Sequence, residues 1–226
     1  MKNLSLIVFL SVLVGSTLLV WACGGQVNLG LEQVTGSGNV KTEKRNVTGF
    51  KGIEAGGAIK LEITAGRDFS VELEADDNVL PLIRTEVRGD TLHIERTSKF
   101  SWNTNRLIAR ISLPELNKLE ISGASDANVS EVKTDNLNLN ASGASKIEIS
   151  GAVQNLRADL SGASKLEGEN LQTLSAKIEA SGASKATVFA SESIDASASG
   201  ASRINYAGNP KSVNKNSSGA STVAAQ

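Results

Sequence analysis

The sequence predicts an all-β protein, a β-solenoid of parallel coils about 19–20 residues long. The string Ser-Gly-Ala-Ser occurs six times, and successive copies begin 20, 19, 20, 18 and 19 residues apart. A turn that recurs at a near-constant interval indicates equivalent units stacked on one another. Apolar and polar residues alternate on both sides of each copy, as in half-buried strands. The 21 glycines and only 3 prolines favour a turn-rich β-structure. The copies begin at Ser122, Ser142, Ser161, Ser181, Ser199 and Ser218.

The first 22 residues are typical of a secretory signal peptide. Lys2 is followed by a long apolar run without charge, and the small residue Ala22 precedes the expected cleavage point. Cys23 is the only cysteine, and the tetrapeptide VWAC that it ends resembles a bacterial lipobox. We therefore expect a lipoprotein signal peptide over residues 1–22 and a lipid on Cys23. An uncleaved signal anchor is the alternative.

The charge of the expected mature chain excludes one class of partner. Removal of the signal peptide takes away Lys2 and leaves 22 basic against 24 acidic residues. A net charge near −2 offers no basic footprint for nucleic acid.

The expected lipid would place the protein in the cell envelope, and Gly24 after Cys23 is compatible with sorting to the outer membrane, on its periplasmic or its outer side. The expected partners are the membrane and a glycan or a protein of the envelope or host surface; the oligomeric state stays open.

Beyond Cys23 we expect a tether and one domain. Residues 23–45 are polar and glycine-rich, which is typical of a flexible linker. Residues 46–226 are expected to form a single solenoid domain, irregular over 46–106 and regular over 107–226. A polar insertion at 97–106 interrupts the irregular part. Three alternating segments there predict strands: Lys60–Ile63, Val71–Glu74 and Thr91–Glu95.

In the regular half each coil is expected to hold two short strands and two turns, stacked about 4.8 Å apart around a thin core. Glycine suits the repeated turn because it accepts positive φ without steric cost. Alanine and serine suit it because stacked turns leave no room for bulk, and the serine hydroxyls can bond to nearby backbone groups. The residues expected to point inward are Leu107, Ala109, Ile111, Leu113, Leu119, Ile121, Leu137, Leu139, Ala141, Ile147, Ile149, Leu156, Ala158, Leu160, Leu174, Ala176, Ile178, Ala180, Ile194, Ala196 and Ala198.

Four motifs occur together in the chain from about Asn46 onward: Phe50-Lys51-Gly52-Ile53, Gly89-Asp90-Thr91-Leu92-His93-Ile94, Leu113-Pro114-Glu115-Leu116 and the repeated Ser-Gly-Ala-Ser-Lys. In this combination they resemble the bacterial family of auto-transporter adhesins with a head GIN domain. The resemblance implies a right-handed parallel β-helix, similar to pectin-lyase-like folds without their catalytic residues, and a role in cell-surface adhesion. We expect the lipid on Cys23 to anchor the domain.

The sequence predicts no catalytic residue, no cofactor and no metal site. His93 is the only histidine, and its place between Leu92 and Ile94 on an alternating strand predicts a solvated outward side chain. No motif supplies the oriented base that the turn serines would need as nucleophiles. An acidic group on one strand could hold Ca²⁺, but a solvated acidic face is the favoured interpretation. That group is Glu72, Glu74, Asp76 and Asp77.

Two surface features are candidates for ligand binding. The first is the column of residues that follow the turns, with Glu148, Glu167 and Glu179 expected nearby to relieve its repulsion. The second is the aromatic pair Phe100 and Trp102 in the insertion, since aromatic residues favour recognition; they could equally cover an edge of the solenoid. The column comprises Asp126, Lys146, Lys165, Lys185, Arg203 and Thr222, of which Lys146, Lys165, Lys185 and Arg203 are the candidate contacts.

Four functions are compatible with these features. The favoured one is a non-enzymatic, lipid-anchored envelope protein whose solenoid presents a binding surface. A carbohydrate-active enzyme would need clustered carboxylates with a basic residue on one sheet face, and the repeats predict none. An ice-binding protein would need regular outward threonine rows, which the sequence lacks. A purely structural envelope spacer remains as the fourth hypothesis.

Overall fold

The structure is a computed structural model that describes residues 32–97, 100–103 and 106–226. The expected signal peptide and Cys23 lie outside these residues. The described chain is almost entirely β, with one short 3-10 helix at Leu80–Leu82. The strands are β1 (Glu32–Thr35), β2 (Val40–Lys44), β3 (Gly52–Ala55), β4 (Lys60–Ala65), β5 (Ser70–Asp76), β6 (Ile83–Arg88), β7 (Thr91–Arg96), β8 (Phe100–Asn103), β9 (Leu107–Leu113), β10 (Lys118–Ile121), β11 (Asp126–Ala141), β12 (Lys146–Leu160), β13 (Lys165–Ala180), β14 (Lys185–Phe189), β15 (Ser193–Ala198), β16 (Arg203–Ala207), β17 (Ser212–Ser217) and β18 (Thr222–Ala225).

Two faces of parallel strands meet at the repeated turns. Face 1 leads into the turns and stacks β7, β3, β10, the C-terminal parts of β11, β12 and β13, then β15 and β17. Face 2 leaves the turns and stacks β9, β4, the N-terminal parts of β11, β12 and β13, then β14, β16 and β18. The predicted parallel β-solenoid is therefore confirmed.

The second corner of each central coil differs from the expected turn. Strands β11, β12 and β13 are 16, 15 and 16 residues long and run without a break from face 2 into face 1. The bend is made by a register shift, between Val129 and Val132 in one coil and between Glu148 and Ser150 in the next. A bulge adds local twist and bends a strand without ending its ladder of hydrogen bonds.

The stack contains a turn that the repeat does not reveal. Residues 56–59 (Gly-Gly-Ala-Ile) lie under the first Ser-Gly-Ala-Ser, and the amide of Ala124 donates to the carbonyl of Gly57 at 2.7 Å. Ile59 occupies the place of the last serine and is buried. Between this turn and the next the chain makes an excursion through β5 to β9. The irregular spacing of the first half therefore reflects a long insertion into the stack.

Antiparallel strands close the N-terminal end of both faces. Strand β6 pairs with β7 on face 1, and β5 pairs with β9 on face 2. Strand β2 adds a further antiparallel strand beside β5. The expected tether over residues 23–45 is therefore wrong from Glu32 onward, because β1 and β2 belong to the domain. Its polar sequence forms a strand by backbone pairing with β5, and Lys41 and Lys44 lie beside Asp77 and Glu72 of the neighbouring segment.

The core is a thin apolar layer between the faces. Every residue expected to point inward is buried except Leu174, which is 43% exposed. The prediction for Leu174 is wrong because the chain bends there: Leu171 and Thr173 point inward, and the next inward residue is Ala176. A bend changes the period from two residues to three, which a strict alternation cannot anticipate.

The repeated turns are packed too tightly for a side chain at the position of their glycine. Gly143 has φ +76°, and a Cβ built on it would lie 2.5 Å from the carbonyl oxygen of Gly123 in the preceding coil. The last serine closes its own turn: Ser145 Oγ donates to the carbonyl of Ser142 at 2.9 Å. Ser202 Oγ also lies 3.0 Å from the carbonyl of Ala180 in the coil below. These hydroxyls are structural, as predicted.

Candidate ligand-binding surface

The residues after the turns form one column on face 2. Strand register places each of them beside its equivalent in the next coil, and Lys60 of β4 extends the column toward the N-terminal end. The structure thus brings these candidate residues together as the spacing predicts. In stacking order they are Lys60, Asp126, Lys146, Lys165, Lys185, Arg203 and Thr222.

Carboxylates neutralise the first half of this column. Lys146 Nζ lies 2.6 Å from Glu167 and 3.5 Å from Glu148, and Lys165 also contacts Glu167. The hydrogen bond from Lys146 is the main reason that the pKa of Glu167 is below its usual range. Two of the three expected partners are confirmed.

The second half of the column keeps its positive charge. Thr187 and Asn205 occupy the positions in β14 and β16 that Glu167 holds in β13. Within the described part of the chain no carboxylate lies within ion-pair distance of Lys185 or Arg203, and both residues are exposed. The cationic surface is therefore confined to two coils.

Glu179, the third expected partner, lies on face 1 instead. Its carboxylate is 3.4 Å from Lys177, and Arg157 lies 3.3 Å from Glu179 and 3.1 Å from Asp159. Asp159 and Glu179 are neighbours in the ladder between β12 and β13. The expectation that the repeats hold no clustered carboxylates with a basic residue is therefore wrong. The residues lie 20 apart in sequence, so only the register brings them together.

A polar groove of about 430 Å³ follows this row along the stack on face 1, beside the turns. Its floor and walls combine acidic, amide and hydroxyl side chains. The residues that define it are Glu120, Asn140, Asp159, Glu179, Ser161 and Ser181.

An apolar groove of about 700 Å³ lies at the bend between the faces, and the sequence reasoning missed it. It is lined by Val153, Leu174 and Phe189, with Gln154 and Gln172 among its polar residues. Leu174 could have revealed it, since a leucine one residue after an inward Thr173 cannot also point inward. A concave, mostly apolar lining with a few polar groups is typical of a ligand site.

The aromatic candidates Phe100 and Trp102 lie on β8, which pairs in parallel with β1 as a separate two-stranded sheet. Phe100 is opposite Glu32, and Trp102 is opposite Val34. Their role in binding stays a prediction.

The acidic group on β5 is wrongly interpreted as a solvated face. Glu74 is buried and contacts Arg110 at 2.7 Å as well as Arg106. The hydrogen bond from Arg110 lowers the pKa of Glu74 below its usual range. Glu72 lies 3.3 Å from Lys44. Because β5 runs between β2 and β9, basic residues of both neighbours pair with its carboxylates.

His93 is also less solvated than predicted, since its side chain is only 13% exposed. Nδ1 lies 3.4 Å from Glu54 of β3 and 3.7 Å from Glu95 of β7 itself. Glu95 in turn accepts hydrogen bonds from Arg88 at 2.8 and 3.0 Å and from Arg84 at 3.0 Å. These bonds, those of Arg88 first, lower the pKa of Glu95 to about 2. The pairing of β7 with β3 and β6 therefore places His93 in a cluster of charged residues.

None of the described residues belongs to a helix that is long and apolar enough to cross a membrane. Residues 49–210 match the family model described as "Putative auto-transporter adhesin, head GIN domain". No curated protein matches the chain.

Solved structures of bacterial proteins share the fold. A putative adhesin from Bacteroides fragilis is 23% identical, with a TM-score of 0.72 over 85% of this chain and 100% of the other. A putative lipid binding protein from Parabacteroides distasonis is 18% identical, with a TM-score of 0.58 over 86% and 100%. A putative adhesin from Parabacteroides merdae is 15% identical, with a TM-score of 0.57 over 86% and 99%.

Proposed function

Because this chain belongs to the family of putative auto-transporter adhesins with a head GIN domain, we propose that it is a non-enzymatic adhesin held on the cell envelope by a lipid on Cys23. The binding surface in this proposal is the cationic end of the column on face 2. The observation that carries it is the register of Lys185 and Arg203 on adjacent strands, with uncharged outward neighbours.

The chemistry of this surface fits an acidic glycan. Neighbouring parallel strands lie about 4.8 Å apart, so the two cations form a short ladder that can contact successive acidic groups. Thr187 and Asn205 beside them supply hydroxyl and amide groups for hydrogen bonds to sugar. Association through exposed cations depends on ionic strength.

The contacts of the carboxylates support the non-enzymatic part of the proposal. A glycoside hydrolase needs a pair of carboxyl groups that are free to act as acid and as base or nucleophile. In the acidic cluster of face 1, Arg157 contacts both Asp159 and Glu179, so both carboxylates are held in ion pairs.

The proposed surface is tested by glycan-array and vesicle binding with the full chain. We expect binding to acidic glycans, weakened about tenfold in the double variant Lys185→Glu/Arg203→Glu, because each exposed cation contributes on the order of 1 kcal/mol. Lys177→Glu is the matched control, since Lys177 is an exposed cation on face 1. Equal binding by wild type and the double variant would contradict the proposal.

A second candidate function is binding of an apolar ligand such as a lipid acyl chain, favoured by the exposed Leu174 in the apolar groove. In the same assay it predicts binding to uncharged vesicles that is lost in Leu174→Glu and kept in Lys185→Glu/Arg203→Glu. Absence of binding to every glycan and vesicle would favour the structural spacer.

The proposed anchor is tested by metabolic labelling with palmitate in a bacterial host. Wild type is expected to incorporate the label and to fractionate with membranes, whereas Cys23→Ser is expected to do neither. Equal labelling of both proteins would rule out the lipid on Cys23 and favour the uncleaved signal anchor.

A further inference from the structure

An unsatisfied nitrogen lies at the centre of the cluster on face 1. His93 Nδ1 is buried and has no hydrogen-bond partner. Its neighbours are carboxylate oxygens of Glu54 and Glu95 at 3.4 and 3.7 Å, beyond the usual 2.7–3.2 Å of an N–H···O hydrogen bond. A buried polar atom without a partner is costly and rare in folded proteins, so it calls for a specific explanation.

The distance of 3.4 Å from His93 Nδ1 to Glu54 matches the spacing of two ligands around one metal ion. Zn²⁺ binds imidazole nitrogen and carboxylate oxygen at about 2.0–2.2 Å, so two ligands of a tetrahedral site lie about 3.3–3.5 Å apart. One atom from each of Glu54, His93 and Glu95 lies within 4.8 Å of the other two. We propose that Glu54, His93 and Glu95 form a Zn²⁺ site on the solenoid.

The fold holds these ligands from two adjacent strands. Glu54 of β3 is directly opposite His93 in the parallel ladder, and Glu95 is two residues further along β7 on the same outward side. Three ligands therefore project from paired backbone and not from loops, which fixes their spacing. Arg84 and Arg88 hold the carboxylate of Glu95, as outer groups commonly orient a metal ligand.

Two of the three ligands also line a groove that is open to solvent. A groove of about 590 Å³ is lined by Glu54, Glu95 and Glu120. Glu120 is opposite Glu54 on the next strand, β10. A fourth position can then be filled by water, by Glu120 or by an acidic group of a ligand. Three protein ligands with one open position are typical of zinc sites that bind a further molecule.

The charges around the cluster set the ion that it favours. Glu86 of β6 is opposite His93 on the other side, and it contacts Arg88. Arg84 and Arg88 already bind the oxygens of Glu95. This leaves fewer free oxygen atoms than the six to eight that Ca²⁺ prefers, which disfavours that ion. An imidazole nitrogen with two carboxylates suits Zn²⁺ and related transition ions.

Because His93 is the only histidine, the site can be observed without ambiguity. The full chain, labelled with ¹⁵N-histidine, gives ring-nitrogen signals from one residue. Titration with ZnCl₂ is expected to shift the Nδ1 signal at one equivalent, and calorimetry is expected to show one site. CaCl₂ is expected to leave both measurements unchanged.

Variants separate the site from nonspecific binding. Glu54→Gln preserves size and His93→Asn keeps a smaller polar side chain; both are expected to weaken Zn²⁺ binding by about tenfold or more. Glu179→Gln changes a carboxylate in the same sheet, four strands away along face 1, and is expected to bind as wild type does. Circular dichroism without metal checks that each variant folds. Failure of wild type to bind Zn²⁺ at millimolar concentration, or equal affinity in wild type and Glu54→Gln, would overturn the proposal.

Discussion

At the scale of single residues, the turn glycines are required for two separate reasons. Gly162 has φ +72°, a conformation that costs an L-residue about 1–2 kcal/mol. In addition, a Cβ on Gly162 would lie 2.6 Å from the carbonyl oxygen of Gly143. The second reason exists only in the stack, because the clashing atom belongs to another coil.

The two contributions can be separated by a pair of substitutions. Gly89→Ala introduces a Cβ at φ +62° into open space, with no atom within 4 Å, and is expected to cost about 1–2 kcal/mol. Gly162→Ala adds the clash and is expected to cost about 1–3 kcal/mol more. Urea unfolding of both variants measures the difference. Equal destabilisation would show that the neighbouring coil shifts to accommodate the added Cβ.

At the scale of elements, the antiparallel strands at the N-terminal end depend on charge pairs more than the coils do. Glu74 of β5 is buried between Arg110 of β9 and Arg106. Removal of one charged side chain from such a buried group leaves the charge of its partners without compensation. This end of the solenoid is therefore expected to be its acid-sensitive part.

This expectation gives a prediction for the pH dependence of stability. The pKa of Glu74 is lowered in the folded state, so its stabilising effect is present above its ordinary pKa and is lost as the pH falls through the folded pKa. Between about pH 6 and pH 3, the Tm of wild type should fall further than that of Glu74→Gln. Glu148→Gln, at an exposed carboxylate, should follow wild type. Parallel profiles for all three proteins would contradict the assignment.

At the scale of the whole molecule, each coil is stabilised chiefly by the coils on either side. Strands β11, β12 and β13 have partners on both sides, whereas β17 and β18 each have one parallel partner among the described strands. The residues of β17 are exposed along its length. Stability is therefore expected to decrease from the central coils toward β18.

Amide hydrogen exchange can test this gradient with two chemically equivalent groups. The amide of Ala163 donates to Gly143 at 2.7 Å, and the amide of Ala220 donates to Gly200 at 2.8 Å. The bonds are alike, and only their places in the stack differ. We expect exchange at Ala220 to be at least about tenfold faster, because local opening requires less free energy near an end. Similar rates would indicate that the solenoid opens as one unit.

The sequence was most informative where structure repeats. Six copies of one turn predicted the coil, its length and the column of residues after the turn. It was least informative at positions that keep the backbone geometry of the turn but hold a different residue type. Ile59, for example, occupies the place of the last serine in the first turn of the stack. A strict alternation likewise placed Leu174 in the core, because the change from a two-residue to a three-residue spacing after Thr173 leaves no motif.

The sequence by itself determined the stack of coils. Small turn residues and alternating apolar and polar residues suit the same coil geometry in every repeat, independently of the side chains in the neighbouring coils. The tertiary structure alone decided which side chains meet across the strands. Lys146 and Lys185 both follow the repeated turn, but Lys146 pairs with Glu167 of the next coil, whereas the residues beside Lys185 in the next coil are Arg203 and Asn205. The contact of His93 with Glu54 likewise depends on the pairing of β3 with β7, two segments that lie about 40 residues apart in the chain. The physical reason is that the backbone repeats its pattern locally, whereas lateral contacts depend on register between distant segments.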